Sequence, residues 1–316
     1  MPNPVCGLNN LSVIPTLIQM GALILCGVLW RVLAPGELDA RTTRTALTGL
    51  VYYLFLPALV LLVLWQTPLG LGSLKIAAVA IAGILVSMLV IAGFCHACRM
   101  DGPTRGAVIL AASFPNATYL GLPVLEATLG KPARSIAIQY DLFACTPLLL
   151  TVGILIASRY GTQNRSPSLL RGLARVPAVW AALLAICLNL AAVPMPAMLT
   201  TFLQTLSQGV VPLMLISLGL SLVFRGEHVR ELRAVIPALT VKLFVMPVVV
   251  LLAAKSLQMT GLTYQAVVLE AAMPSMVLGL VLSDRYGLNS AVYAATVTLT
   301  TVASLFTLGL WFQLVA

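Results

Sequence analysis

Charge is what this sequence has least of. Of its 316 residues only 9% are Asp, Glu, Lys or Arg, against about 25% in a soluble domain, while 60% are hydrophobic. So few charges cannot keep a surface of this size in water, which excludes a soluble or disordered chain. Histidine is scarcer still, at two residues, and of the six cysteines Cys26, Cys145 and Cys187 lie inside apolar runs, where a thiol acts as a small hydrophobe. That excludes a disulfide framework. Cys95-His96-Ala97-Cys98 resembles a metal-ligand cluster, but zinc needs further ligands and the other histidine is His228, so no metal site is expected there. Lys and Arg are also missing from the first ten residues, and the first apolar run has the length of a full span, so no signal peptide is expected.

What is present is a series of apolar runs. Ten lie between charged or Pro/Gly breaks, near residues 11–31, 43–65, 72–95, 104–128, 134–158, 176–193, 199–223, 233–254, 263–283 and 290–314. About 20 apolar residues cross roughly 30 Å of hydrocarbon, so ten spans leave no room for a soluble catalytic domain. The fold class is an all-α integral membrane protein with ten transmembrane helices. Of the 18 Lys and Arg residues, 13 fall in odd-numbered loops and their helix ends and 4 in even ones. This places the odd loops in the cytoplasm and both termini outside, in a plasma or inner membrane. The net charge of +9 is then a topology signal, and no nucleic-acid partner is expected.

The longest connection, residues 159–176, is basic and falls at the chain's midpoint. Pro115 and Pro274 stand in similar contexts 159 residues apart, and Pro57 and Pro212 stand 155 apart, where half the chain is 158. Residues 1–158 and 177–316 therefore read as two five-helix repeats joined by that linker. An odd number of spans per repeat makes the second inverted relative to the first, a transporter signature.

Two spans are interrupted. Span four holds Pro115, Asn116, Thr118, Gly121 and Pro123, and span nine holds Glu270, Met273, Pro274 and Ser275. Proline removes a backbone donor and clashes with the preceding turn, so neither stretch stays a continuous helix. Unwinding at the midplane frees amides and carbonyls where lipid cannot satisfy them: half-helix N-termini attract anions, and freed carbonyls with Asn or Glu oxygens suit cations. The plainer reading is that these prolines only kink two packed helices.

Asn116 with Gly121-Leu122-Pro123 resembles the N-x-x-x-x-G-L-P element of the bacterial auxin efflux carrier family, which includes carriers of malonate and other small carboxylates. Phe55-Leu56-Pro57-Ala58-Leu59, Val241-Lys242-Leu243 with Pro247, and Ala271-Ala272-Met273-Pro274 fit in the same order. The resemblance covers essentially the whole chain. It implies a five-plus-five inverted-repeat fold shared with the bile acid sodium symporters, in which helices four and nine unwind and cross. Spans one, two, six and seven would form a scaffold, and spans three to five and eight to ten a mobile core that carries substrate by an elevator-like displacement. The plant hormone carriers have Asn-Pro-Asn elements at the crossover, whereas this chain has Pro115-Asn116 and Pro274-Ser275, so auxin is not inferred as substrate.

A charge at the bilayer centre costs roughly 2.5–3.5 kcal/mol, so each one needs a partner or a role. Glu126, Asp141, Lys242 and Glu270 qualify. Glu270 lies four residues before Pro274; it could bind a sodium ion with crossover carbonyls and Ser113 or Asn116, carry a coupling proton, or pair with Lys242. The bile acid symporters have a similarly placed glutamate, which favours the cation role by resemblance. Lys242 could hold a substrate carboxylate or neutralise Glu270 or Asp141. Asp141, with Gln139, offers a second ion position or an interhelical hydrogen bond, and Glu126 reads as reaching interfacial water. The candidate substrate site is thus Ser113, Pro115, Asn116, Thr118, Gly121, Pro123, Lys242, Pro274 and Ser275. The candidate coupling site is Glu270, Met273, Asp141 and Gln139, with Na+ or H+ as the coupling ion and no other cofactor. The expected function is secondary transport of small organic anions across the bilayer, with a homodimer left open. A sodium-coupled symporter, a receptor and a channel are the alternatives. An enzyme is not expected, since no G-x-S-x-G, H-E-x-x-H or paired-aspartate motif occurs.

Overall fold

The structure is a computed structural model that describes residues 13–67, 69–163, 174, 176–222 and 228–316. The described residues form helices: α1 (Val13–Leu33), α2 (Ala40–Gln66), α3 (Leu71–Ala97), α4 (Gly102–Ser113), α5 (Leu122–Leu129), α6 (Ala133–Tyr160), α7 (Pro177–Leu190), α8 (Ala197–Ser221), α9 (Leu232–Ser256), α10 (Gly261–Ala271), α11 (Leu278–Tyr286) and α12 (Ser290–Val315). Six of them, α2, α3, α6, α8, α9 and α12, are long and apolar enough to cross a membrane. Gly21–Leu33 of α1 and the whole of α7 are shorter apolar helices. Most of the basic linker lies outside the described residues, including Arg165, Arg171 and Arg175, as do the first ten residues and Arg225.

Proline controls the local shape of the long helices. Four five-residue π turns, Val51–Phe55, Ala117–Gly121, Asp141–Cys145 and Val241–Val245, each end two residues before a proline: Pro57, Pro123, Pro147 and Pro247. A proline ring collides with the carbonyl four residues back and offers it no N–H; widening the turn removes the collision at small cost. The residue before each proline then donates five residues back, as Leu56 does to the Val51 carbonyl and Met246 to that of Val241. A fifth π turn, Leu149–Gly153, has no proline of its own.

Helices α1 and α2 pack against α8 and α7. Gly27 and Gly219 let α1 and α8 touch backbone to backbone: a Cβ on Gly219 would overlap the Ile24 carbonyl, and one on Gly27 the Ile216 carbonyl. Arg31 donates to the Leu222 carbonyl at 2.6 Å and that of Leu220 at 3.3 Å, a cation on the free carbonyls of the α8 C-terminus. The Asn189 amide donates to the carbonyls of Leu64, Trp65 and Thr67 at 3.2, 2.8 and 2.8 Å, which ties α7 to the end of α2. The remaining helices pack around α4, α5 and α10, where Leu110, Leu125 and Val267 are fully buried, as is Phe114 just after α4.

Candidate functional site

Helix α4 stops at Ser113, and the chain leaves the helix at Phe114 and Pro115 and turns at Asn116 into the π turn that leads into α5. Helix α10 stops at Ala271, and the chain opens again before α11. The two openings meet as a short antiparallel bridge between Pro115 and Ser275. Asn116 N–H donates to the Pro274 carbonyl at 2.8 Å, and Met276 N–H to that of Phe114 at 2.9 Å. Both interruptions read from the sequence are therefore breaks rather than kinks, and each supplies the backbone partners the other lost.

Three side chains from neighbouring helices hold the second break. Lys242 Nζ donates to the Ala271 carbonyl at 2.8 Å, and Met246 Sδ lies 2.9 Å from it. The Tyr293 hydroxyl donates to the Met276 carbonyl at 2.8 Å, and Thr300 Oγ1 accepts from Ser275 N–H at 3.1 Å. Tyr293 and Thr300 escaped the sequence reading. Their signal was the run of Thr and Ser through α12, where Thr296, Thr298, Thr300, Thr301 and Ser304 are all buried.

The ion pair weighed for Lys242 and Glu270 is not formed. Among the described residues the side-chain ion pair is that of Arg134 with Glu126, both partly exposed. Lys242 is fully buried and serves a carbonyl freed at the α10 C-terminus, where a cation suits the negative end of the helix dipole.

Glu270 is fully buried in the last turn of α10, and neither carboxylate oxygen has a hydrogen-bond partner among the described residues. Its carboxylate lies on the bare Cα of Gly121, so that a Cβ there would overlap it. Asn116 is equally buried, and both its amide oxygen and nitrogen are unpartnered. Ser275 Oγ and Gln139 Oε1 are in the same condition. An unmet buried polar group costs about 1–3 kcal/mol, so such a cluster calls for an explanation such as a bound ion or ligand.

The other predicted residues divide. Ser113 turns its hydroxyl back to the Ile109 carbonyl at 2.7 Å. Pro123 stands in the first turn of α5, and Met273 is buried with its N–H on the Glu270 carbonyl at 3.2 Å. Thr118 Oγ1 donates to Asp141, whose other oxygen accepts from Thr146 Oγ1 at 3.0 Å. Asp141 is thus satisfied by hydroxyls from α6 and from the turn before α5, the interhelical hydrogen bond that was one of its two readings.

Beside the crossover lies a cavity of about 190 Å³ whose walls include Thr118, Asp141, Thr146, Met276, Leu282 and Arg285. It shares Tyr52, Tyr119, Leu278 and Val281 with a second cavity of about 320 Å³ that reaches Arg44 and Asp284. At the opposite helix ends a third space of about 670 Å³ is lined by Gln66, Glu126, Lys131, Arg134, Gln204 and Gln208.

Comparison with known proteins agrees with this architecture. Residues 12–312 match the family described as membrane transport protein. The chain is 29% identical over 300 residues to an uncharacterized transporter of Methanothermobacter thermautotrophicus, covering 94% of this chain and 96% of that one. It is 27% identical over 219 residues to the uncharacterized transporter MJ1031 of Methanocaldococcus jannaschii, covering 68% and 70%. With the uncharacterized transporter YfdV of Escherichia coli K12 it shares 24% over 208 residues, 64% and 65% of the two chains. The chain belongs to the membrane transport protein family.

Proposed function

We propose that this protein is a secondary transporter of small organic anions, mono- or dicarboxylates, with its substrate site at the crossing of the two broken helices. One observation carries the reading: the paired breaks bury the Asn116 amide and the Glu270 carboxylate without partners, beside a cavity. In this reading the chain makes ten spans in two inverted repeats, the broken pairs α4/α5 and α10/α11 counting as spans four and nine. Helices α1, α2, α7 and α8 form the scaffold, held by Arg31 and Asn189, and the others form a core that moves against it. The spaces at opposite helix ends give the substrate a way in and a way out. The basic odd loops face the cytoplasm of a plasma or inner membrane, with both termini outside.

Glu270 is the coupling site, through H+ or Na+. The sodium form has a specific observation in its favour: a buried carboxylate with both oxygens unpartnered stands in the last turn before the α10 break, and carboxylate oxygens suit a hard cation. The test is uptake by proteoliposomes under imposed pH and sodium gradients, with saturable kinetics separating a carrier from a channel or receptor. Glu270→Gln should abolish gradient-driven accumulation, and Asn116→Ala should weaken substrate binding. The absence of any carboxylate flux under either gradient would overturn the assignment, and unchanged accumulation by Glu270→Gln would remove Glu270 as the coupling site.

A further inference from the structure

The cavity of about 190 Å³ follows α11 along one face. Met276 just before it, then Leu278, Val281, Leu282, Arg285 and Tyr286 all line the space. At 1.5 Å per residue, Leu278 to Arg285 spans roughly 10 Å along this wall. At one end lie Thr118, Asp141 and the start of α11; at the other, next to the α11 C-terminus, lies Arg285. The volume is room for several waters, or for a molecule of a few carbons.

The two ends differ in charge. Arg285 is exposed and makes no hydrogen bond or ion pair among the described residues, which leaves its fork of donors free for a carboxylate. Asp141 is buried, and each of its oxygens accepts from a threonine hydroxyl, an arrangement that suits an ionised carboxylate and holds it in place. The walls between them are mostly apolar, with Tyr52 and Tyr119 adding hydroxyls. A second anionic group at the Asp141 end would meet a like charge in a setting of low dielectric, and only a group able to donate a hydrogen bond is matched there.

We propose that Arg285 docks the carboxylate of the substrate and that Asp141 excludes a second one, so that the cavity selects monocarboxylates carrying a hydroxyl or amine at the far end over dicarboxylates of equal length. This rests on the transporter reading above and narrows its substrate class. It also gives Arg285 a role in specificity that lies outside the crossover itself.

The experiment is competition in proteoliposomes between matched pairs of the same chain length, 4-hydroxybutyrate against succinate and 6-hydroxyhexanoate against adipate. In the wild-type protein the hydroxy acid of at least one pair should compete at least tenfold better than its dicarboxylate. Arg285→Gln should raise KM for the transported hydroxy acid about tenfold or more with kcat little changed, and Arg285→Lys should recover part of that loss. Asp141→Asn should let the dicarboxylate compete. Equal competition by both members of each pair in the wild-type protein would overturn the selectivity whether or not the Asp141 variant folds. An unchanged KM in Arg285→Gln would overturn the docking role. Both results leave the transporter reading standing, whereas no carboxylate flux at all would remove both.

Discussion

Substituting Gly121 by alanine tests the contact on which the crossover closes. A Cβ at this position would lie 2.6 Å from Glu270 Oε1 and 2.7 Å from Cδ, and would overlap Oε2 outright. Favourable contacts begin near 3.5 Å, so the carboxylate must retreat by about 1 Å. It gives up no hydrogen bond in doing so, because neither oxygen has a partner among the described residues. The cost is therefore overpacking alone, about 1–3 kcal/mol. Thermal melting of the purified protein in detergent should show Gly121→Ala below the wild-type protein. Combining it with Glu270→Ala, which deletes the colliding group, should cost less than the sum of the two single changes. Melting of Gly121→Ala at the wild-type temperature, or strict additivity in the double variant, would refute direct packing of the carboxylate on Gly121.

Three further outcomes follow from other parts of the structure. Lys242→Met keeps the length of the side chain but leaves the Ala271 carbonyl without its donor, which should cost about 1–3 kcal/mol in the same melting assay. Gly219→Val places a side chain against the Ile24 carbonyl, which is backbone and cannot turn aside, so α1 and α8 must separate at a cost of about 3 kcal/mol or more. That loss should appear as protease sensitivity of α1. Asp39 caps the start of α2 by accepting from Thr42 N–H at 2.5 Å and from its hydroxyl at 2.9 Å, and these bonds hold its carboxyl below the ordinary range. A lowered folded-state value means that the cap is fully present above the ordinary aspartate pKa of about 3.9 and is lost as pH falls through the lower one. The protection of the Thr42 amide relative to its intrinsic exchange rate at each pH should therefore hold at neutral pH and fall only in strong acid.

Much of the architecture was legible along the chain because a bilayer imposes it residue by residue. Apolar runs long enough to cross give α2, α3, α6, α8, α9 and α12 near the positions read from composition alone. Pro115 and Pro274 announce the breaks, since a residue without an N–H cannot continue a helix ladder. The π turns ending two residues before Pro57, Pro123, Pro147 and Pro247 carry a comparable local signal.

The site was legible only as a collection of residue types. That Glu270 and Lys242 matter follows from charge in an apolar span, but the sequence cannot say that the lysine serves the Ala271 carbonyl while the glutamate faces Gly121 across the crossing. Nor can it say that Asp141 takes hydroxyls from Thr118 and Thr146. Arg285 looked like one more cytoplasmic arginine until α11 was seen to carry it along the wall of a cavity. By itself the sequence determined where helices form and where they must break, because propensity, hydropathy and proline act over a few neighbouring residues. Which polar groups meet, and which are left unmet, the tertiary structure alone decided, because those pairings join residues as far apart as Asn116 and Pro274 and depend on how whole helices cross.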